Sequence, residues 1–169
     1  DSSYQKIIEI INDVGKSFEK YPHNYVEKSE EHLRDYILSG MQTRIEGSTT
    51  GETFNKKGKT DILLKHENEN IFIAECKIWK GKQYYLDAIT QLIGYLTWRD
   101  SKTAIILFVK NKNISSVLNN IEEYTPNHPN FVEYVNNENE SWFNYIFHMD
   151  GDTGIKIKTT VLVIHIPQL

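Results

Sequence analysis

Residues 71–79 read Ile-Phe-Ile-Ala-Glu-Cys-Lys-Ile-Trp, an apolar run that is interrupted by Glu75 and Lys77. A shorter apolar run begins at Asp61, and the polar residues 65–70 separate the two runs. Apolar runs joined by polar turn residues are typical of paired β-strands. The sequence therefore predicts an antiparallel hairpin that carries three charged side chains in otherwise apolar surroundings.

The pairing of this hairpin brings the three charges together. If the turn is centred on Asn68, Asp61 lies opposite Glu75, and the alternation of strand side chains places Lys77 on the same face. Burying such charges is costly unless they are paired with each other or bind a metal. The structural alternative is an ordinary hairpin with exposed ion pairs, which contribute only ~0–1 kcal/mol. The apolar neighbours favour a core strand, and therefore a functional site.

Length and composition indicate one globular domain that spans residues 1–169. Of the 169 residues, 39% are hydrophobic and 25% are charged, as in ordinary globular proteins. No apolar run approaches the ~20 residues that a membrane span needs, so we expect no membrane partner. The single cysteine, Cys76, lies inside an apolar strand, which suits a reducing environment and predicts a cytoplasmic protein. Because the chain begins at Asp1 rather than at Met, we expect a fragment of a longer protein.

The net charge of −4 argues against a protein that binds nucleic acid constitutively. A nuclease can still be acidic overall when its basic residues cluster, because the electrostatic field is local. Lysines that lie close to the motif in sequence are the candidate contacts with nucleic acid: Lys56, Lys57, Lys59, Lys80 and Lys82.

Helical and strand periodicities predict an α/β fold with a mixed sheet. Helices are predicted over 3–19, 29–41, 83–100 and 114–124, and strands over 103–110, 131–135, 141–149 and 155–166. The strand–helix–strand order implies that the strand at 103–110 runs parallel to its neighbour. In the second helix, Glu30 falls on the buried face and Glu31 at the edge of that face. Glu30 can therefore be interpreted equally well as a functional carboxylate or as an acidic residue that stabilises the helix dipole.

Converging carboxylate oxygens suit a hard divalent ion, Mg²⁺ or Mn²⁺. The six histidines show no spacing typical of a zinc site. A lysine beside a carboxylate-bound ion can orient water and neutralise charge that builds on a phosphate. These parts together predict metal-assisted hydrolysis of a phosphodiester.

The motif resembles the signature of the PD-(D/E)XK nuclease superfamily. Asp61 followed by Glu-Cys-Lys at residues 75–77 matches its Asp and Glu-x-Lys pattern, and Thr60 stands where the family often has proline. The resemblance covers roughly residues 25–125. It implies a restriction-endonuclease-like three-layer core, to which residues 130–169 add a C-terminal β region.

Two further features match branches of this family. The helix glutamate of the family corresponds to Glu30, with Glu31 as the close alternative. Residues 91–95, Gln-Leu-Ile-Gly-Tyr, fit a Gln-x-x-x-Tyr motif on the following helix. By this resemblance Gln91 orients groups near the site and Tyr95 lies among the contacts with nucleic acid.

The resemblance also implies the roles of the central residues. Asp61 and Glu75 would bind the metal together with the backbone carbonyl of Cys76. Lys77 would position the attacking water, and Glu30 or Glu31 would supply a further carboxylate.

The sequence thus predicts a Mg²⁺-dependent endonuclease that cuts DNA. We expect this endonuclease to be an effector or a restriction-like defence module. A fused sensor or regulatory domain, or the formation of a homodimer, would control its activity. RNA or a structured nucleic acid is the alternative substrate. A catalytically silent domain that binds nucleic acid or serves as a scaffold is the alternative function.

Overall fold

A computed structural model describes residues 2–45, 52–57, 60–67 and 69–168. The helices are α1 (Ser2–Lys20), α2 (Glu30–Ile45), α3 (Lys82–Gly94) and α4 (Ile114–Tyr124), with 3₁₀ turns at Pro22–Asn24 and Thr125–Asn127. The strands are β1 (Glu52–Lys57), β2 (Thr60–His66), β3 (Glu69–Ile78), β4 (Lys102–Val109), β5 (Phe131–Asn139), β6 (Trp142–Met149) and β7 (Asp152–His165).

Across these described ranges, seven strands form one sheet in the order β1-β2-β3-β4-β7-β6-β5. Strand β4 runs parallel to β3 and to β7, and the other neighbours are antiparallel. The predicted α/β class with a mixed sheet is therefore confirmed. Its more specific assignment as a restriction-endonuclease-like fold stays a prediction.

Helices cover both faces of the sheet and divide the core in two. Phe72, Ala74 and Cys76 of β3 pack with residues of α1 and α2. Ile73 of the same strand packs with residues of α3 and α4 on the opposite face. Because strand side chains alternate, Glu75 and Lys77 lie on the same face of the sheet as Ile73, in the carboxyl-terminal half of β3.

From Ile62 to Leu64 the β2–β3 hairpin has the register that the sequence predicts, and nearer the turn a bulge shifts the pairing by one residue. Ile62 pairs with Ala74, so one step further along each strand come Asp61 and Glu75. The turn is shorter than the polar stretch suggests, because β2 continues to His66 and β3 begins at Glu69. Glu67 adopts the left-handed conformation with φ of 50°, which closes this tight turn.

The C-terminal strands are an integral part of the main sheet rather than an addition at its margin. Strand β7 lies between β4 and β6, and its residues 159–164 are buried without alternation. A strand covered by helices on both faces needs such a continuous run of buried residues. The hairpin turn between β6 and β7 lies at Asp150 and Gly151, where φ of 74° suits glycine.

The third helix ends at Gly94 and not near residue 100, so that prediction was wrong at its end. The Asp100 carboxylate accepts hydrogen bonds from the backbone N–H of Thr97 at 2.8 Å and from its hydroxyl at 3.1 Å. This local turn takes up backbone donors that a longer helix would have used. It also leads the chain directly into β4.

Candidate active site

Asp61 lies half-buried at the start of β2 and faces the neighbouring strand. The last described pair of this ladder is Ile62 with Ala74. One step beyond it, the backbone N–H of Cys76 donates to Asp61 Oδ2 at 2.9 Å. A carboxylate thus replaces the strand partner that this N–H would otherwise have.

Glu75 is the most unusual group of the site because its side chain is buried, with 1% of its surface exposed. Within the described part of the chain, Glu75 Oε1 has no hydrogen-bond partner. Burial, followed by the negative charge of Asp61 and a hydrogen bond to it, raises the pKa of Glu75 to about 9. At neutral pH and without a metal, the Glu75 carboxyl therefore keeps its proton.

Arg34 supplies the positive charge next to Asp61. Its guanidinium Nη1 lies 3.2 Å from Asp61 Oδ1, and its Nε lies 3.2 Å from the Asp35 carboxylate. Burial by itself would lower the pKa of Arg34, but the hydrogen bonds to Asp61 and Asp35 raise it above its usual value. Both oxygens of Asp61 are thereby engaged, one by a cation and one by a backbone N–H.

Glu30 and Glu31, which the sequence left as alternatives, occupy different surroundings. Glu30 Oε2 accepts from the backbone N–H of Ile78 at 2.9 Å and from the hydroxyl of Tyr84 at 2.6 Å. Glu31 is exposed to solvent. The first turn of α2 therefore brings Glu30, and not Glu31, to the carboxyl end of β3.

Lys77 is half-buried, and its ammonium lies 5.4 Å from the centre of the Tyr84 ring. Among the described residues, no carboxylate lies within ion-pairing distance of this ammonium. The lysine of the Glu-x-Lys motif is thus held close to Glu75 and Asp61 without being neutralised by either.

Other lysines extend the positive charge along the carboxyl ends of β3 and β4. Lys80 and Lys82 are exposed, with their ammonium groups 4.9 Å from the Tyr84 ring and 5.2 Å from the Tyr124 ring. Lys110, which the sequence did not single out, donates to a backbone carbonyl at 2.8 Å. Burial and the neighbouring charge of Lys80 lower the pKa of Lys110. Lys80 and Lys110 therefore lie close enough for their charges to interact, and Lys110 is also near Glu30.

Three of the lysines proposed to contact nucleic acid are only partly placed. Lys56 and Lys57 belong to the backbone of β1, and their side chains are not described; Lys59 lies outside the described residues. Strand β1 pairs antiparallel with β2, so its chain runs beside the strand that carries Asp61.

The Gln-x-x-x-Tyr motif is not joined to the acidic pair by direct contacts. Gln91 is half-buried in the last turn of α3, and Tyr95 is half-buried at its C-cap. Within the described ranges, neither side chain forms a hydrogen bond or ion pair with Asp61, Glu75 or Lys77. The roles assigned to Gln91 and Tyr95 stay predictions.

Besides Lys110, sequence reasoning missed two residues of the site, Arg34 and Tyr84. Arg34 follows Glu30 by one helical turn, so the two share a helix face. A basic residue at that spacing on a buried stripe was the available signal, because Leu33, Ile37 and Met41 around it are fully buried. Tyr84 had no comparable signal in the sequence.

The donor set can be compared with the needs of a divalent metal. Over the described residues, no group of three or more His, Cys, Asp and Glu side chains is arranged to hold a metal ion. Two carboxylates do converge, however, and one has a buried oxygen without a partner. That is the kind of unsatisfied acidic pair that a divalent cation would neutralise, and backbone carbonyls or water can complete the coordination of Mg²⁺. The residues present therefore fit such an ion.

Comparisons with known proteins add no relative to this description. No protein-family model, curated protein or solved structure matched the chain. In the described residues, no helix is long and apolar enough to cross a membrane.

Proposed function

We propose that this protein is a divalent-metal-dependent endonuclease that hydrolyses phosphodiester bonds of DNA, with a core of the PD-(D/E)XK type. The observation that carries the proposal is the buried Glu75 carboxyl. It faces Asp61 and lies two residues from the Lys77 ammonium. Among the residues that the structure describes, one Glu75 oxygen has no partner and no carboxylate pairs with that ammonium. A fold gains no stability from this arrangement, because an uncompensated buried carboxylate is costly.

Asp61 and Glu75 would hold the metal, with the carbonyl of Cys76 as the further ligand that the family resemblance suggests. A bound divalent ion supplies Lewis-acid polarisation of the phosphoryl group and makes water a stronger nucleophile at neutral pH. The Cys76 thiol has no part in this chemistry, since it is buried and burial raises its pKa.

The remaining groups act on the substrate. The Lys77 ammonium has hydrogen-bond donors available to orient water and to stabilise negative charge on the phosphate in the transition state. Glu30 holds the end of β3 through the N–H of Ile78 and so fixes the backbone on which Lys77 is carried. Lys80, Lys82 and Lys110 give this end of an acidic protein a local positive charge for phosphate contacts.

A catalytically silent domain that binds nucleic acid is the second candidate, and one observation favours it. Asp61 already has a partner at each oxygen, Arg34 at one and the N–H of Cys76 at the other. A carboxylate that is satisfied in this way serves as a structural ion pair without any metal. Binding of DNA without divalent-ion-dependent turnover would support this alternative.

Incubation with supercoiled plasmid, with Mg²⁺ or Mn²⁺ or with a chelator, separates the two functions. We expect nicking or linearisation that needs the metal and that is lost in Asp61→Asn, Glu75→Gln and Lys77→Ala. The matched control is Glu69→Gln, which removes an exposed carboxylate from the other end of the same strand. Cleavage that persists in all three site variants would refute the assignment of the site.

The same assay addresses substrate and control. Single-stranded DNA, duplex DNA and RNA offered in parallel identify the substrate class. Cleavage that rises steeply with protein concentration, together with the mass from gel filtration, would support control by dimer formation, because cutting both strands commonly uses two active sites. Folded protein that neither binds metal nor cleaves any of these substrates would favour the silent domain.

A further inference from the structure

Tyr84 connects two charged groups of the proposed site that do not contact each other. It lies in the first turn of α3, and its hydroxyl donates to Glu30 Oε2 at 2.6 Å. The same Glu30 oxygen accepts from the N–H of Ile78 at 2.9 Å. Burial and the hydrogen bond to Glu30 raise the pKa of Tyr84, so the hydroxyl remains a donor across the neutral range.

The ring of Tyr84 carries two ammonium groups. Lys77 lies 5.4 Å and Lys80 lies 4.9 Å from the ring centre. A cation over an aromatic face is attracted by the ring quadrupole and yet is not neutralised by it. An ion pair with a carboxylate would instead occupy the donors of Lys77 and cancel its charge.

Together these contacts give the Lys77 ammonium and the Glu30 carboxylate different partners. Glu30 is engaged by two donors, and Lys77 rests on the ring of the residue that supplies one of them. Without the hydroxyl and the ring, the Glu30 carboxylate and the Lys77 ammonium would be free to pair.

We propose that Tyr84 is a positioning residue of the nuclease site, whose ring holds the Lys77 ammonium unpaired and whose hydroxyl holds Glu30 away from it. This role rests on the proposed function, since it acts through Lys77 on the scissile phosphate. It gives Tyr84 no contact with the substrate of its own.

The test compares Tyr84→Leu and Tyr84→Phe under single-turnover conditions, each in the wild-type chain and in a Lys77→Ala background. Loss of the ring should lower the cleavage rate constant by about 10- to 100-fold, because a small displacement of a catalytic group has effects of that size. The apparent affinity for substrate should change much less than the rate constant does, although the ring also carries Lys80. Tyr84→Phe keeps the ring and should recover at least half of this loss on a logarithmic scale.

The decisive measurement is the double variant. If Tyr84 acts through Lys77, adding Tyr84→Leu to Lys77→Ala should lower the rate constant by less than about threefold, since residues that act as a unit are not additive. The matched control is Tyr124→Leu, which removes another half-buried tyrosine with a lysine on its ring, at 5.2 Å from Lys82. It should leave the rate constant unchanged. Calorimetric affinity for Mn²⁺ should be the same in Tyr84→Leu as in the wild-type chain.

The outcomes separate this inference from the proposed function. If the wild-type chain cleaves neither DNA nor RNA in the presence of metal, the proposed function and the role of Tyr84 fail together. Three results with an active wild-type chain would refute the role of Tyr84 alone. Tyr84→Leu could be fully active, or it could lose only affinity for substrate. The third result is a double variant whose rate constant falls by the product of the two single losses. Equal losses in Leu and Phe would refute the part assigned to the ring.

Discussion

Replacing Glu75 with Gln should stabilise the metal-free protein at neutral and alkaline pH. The carboxyl has a pKa of about 9 in the folded chain and an ordinary value of 4.5 when unfolded. Between these values the folded state keeps a proton that the unfolded state releases, so the stability that this proton contributes is present below pH 4.5 and is lost as the pH rises toward 9. Gln has the same shape, has no charge to bury and can donate to Asp61 as the protonated Glu75 does.

The size of the effect follows from the shift. Each pH unit above 4.5 costs the wild-type chain at most about 1.4 kcal/mol, so at pH 7 the cost reaches an upper value of about 3 kcal/mol. Because relaxation of the site reduces this cost, we expect Glu75→Gln to exceed the wild-type chain by about 1–3 kcal/mol at pH 7. At pH 5 the two proteins should differ by less than about 1 kcal/mol.

Urea unfolding in the presence of a chelator, followed from pH 5 to pH 8, measures this difference. The control is Glu69→Gln on the same strand, whose carboxylate is exposed and should give a gap that is small and independent of pH. The reasoning would be refuted if the difference in unfolding free energy between Glu75→Gln and the wild-type chain did not grow with pH. It would also be refuted if Glu75→Gln were the less stable protein at pH 8.

Saturating metal should reverse the order of the two proteins. A ligand that binds only the folded state stabilises it by about 2.7 kcal/mol at one hundred times its dissociation constant. The wild-type chain should gain this stability with Mn²⁺, and Glu75→Gln should gain little. Equal gains in both proteins would show that the metal binds elsewhere.

Two further substitutions test the surroundings of the site and the core. Arg34→Met removes the guanidinium from Asp61 and should tighten the binding of Mn²⁺ by on the order of tenfold, which corresponds to about 1.4 kcal/mol. Calorimetry measures this affinity. Unchanged or weaker binding would show that Arg34 does not compete with the metal. Tyr4→Phe removes a buried hydroxyl that donates to the carbonyl of Thr103 at 2.7 Å and lies 2.7 Å from the Thr160 hydroxyl, and should lower the free energy of unfolding in urea by about 1–3 kcal/mol. A loss below about 0.3 kcal/mol would show that water replaces these bonds.

The parts that the sequence predicted well are those that local rules determine. The register of β2 with β3 follows from the position of the polar turn, because a slip by one residue would move every apolar side chain to the wrong face. The same rule brought Asp61 next to Glu75. Amphipathic periodicity likewise placed α1 and α4 within one residue of their observed bounds.

The parts that it missed depend on contacts between distant segments. In the sheet, β7 pairs with β4, and β6 and β5 lie beyond it toward the edge. The sequence of β7 does not predict this order, because a continuous apolar strand fits any central position of a sheet. The choice between Glu30 and Glu31 depends on how α2 is rotated about its axis against the sheet. The apolar stripe of the helix is compatible with either rotation, so it does not decide between them. Tyr84 becomes part of the site only because the first turn of α3 reaches Glu30 in the first turn of α2.

The two side chains from α2 show how the site is balanced. Glu30 and Arg34 are one turn apart, and they bind opposite partners: Glu30 takes the N–H of Ile78, and Arg34 takes the carboxylate of Asp61. In the metal-free chain Arg34 therefore does for Asp61 what a divalent ion would do, and the proton on Glu75 removes the second charge. A metal that binds this pair must displace the proton and weaken the contact with Arg34, so its affinity depends on where α2 lies. A shift of α2 against β3 would alter the Arg34 and Glu30 contacts together, because both side chains project from the first turns of this helix.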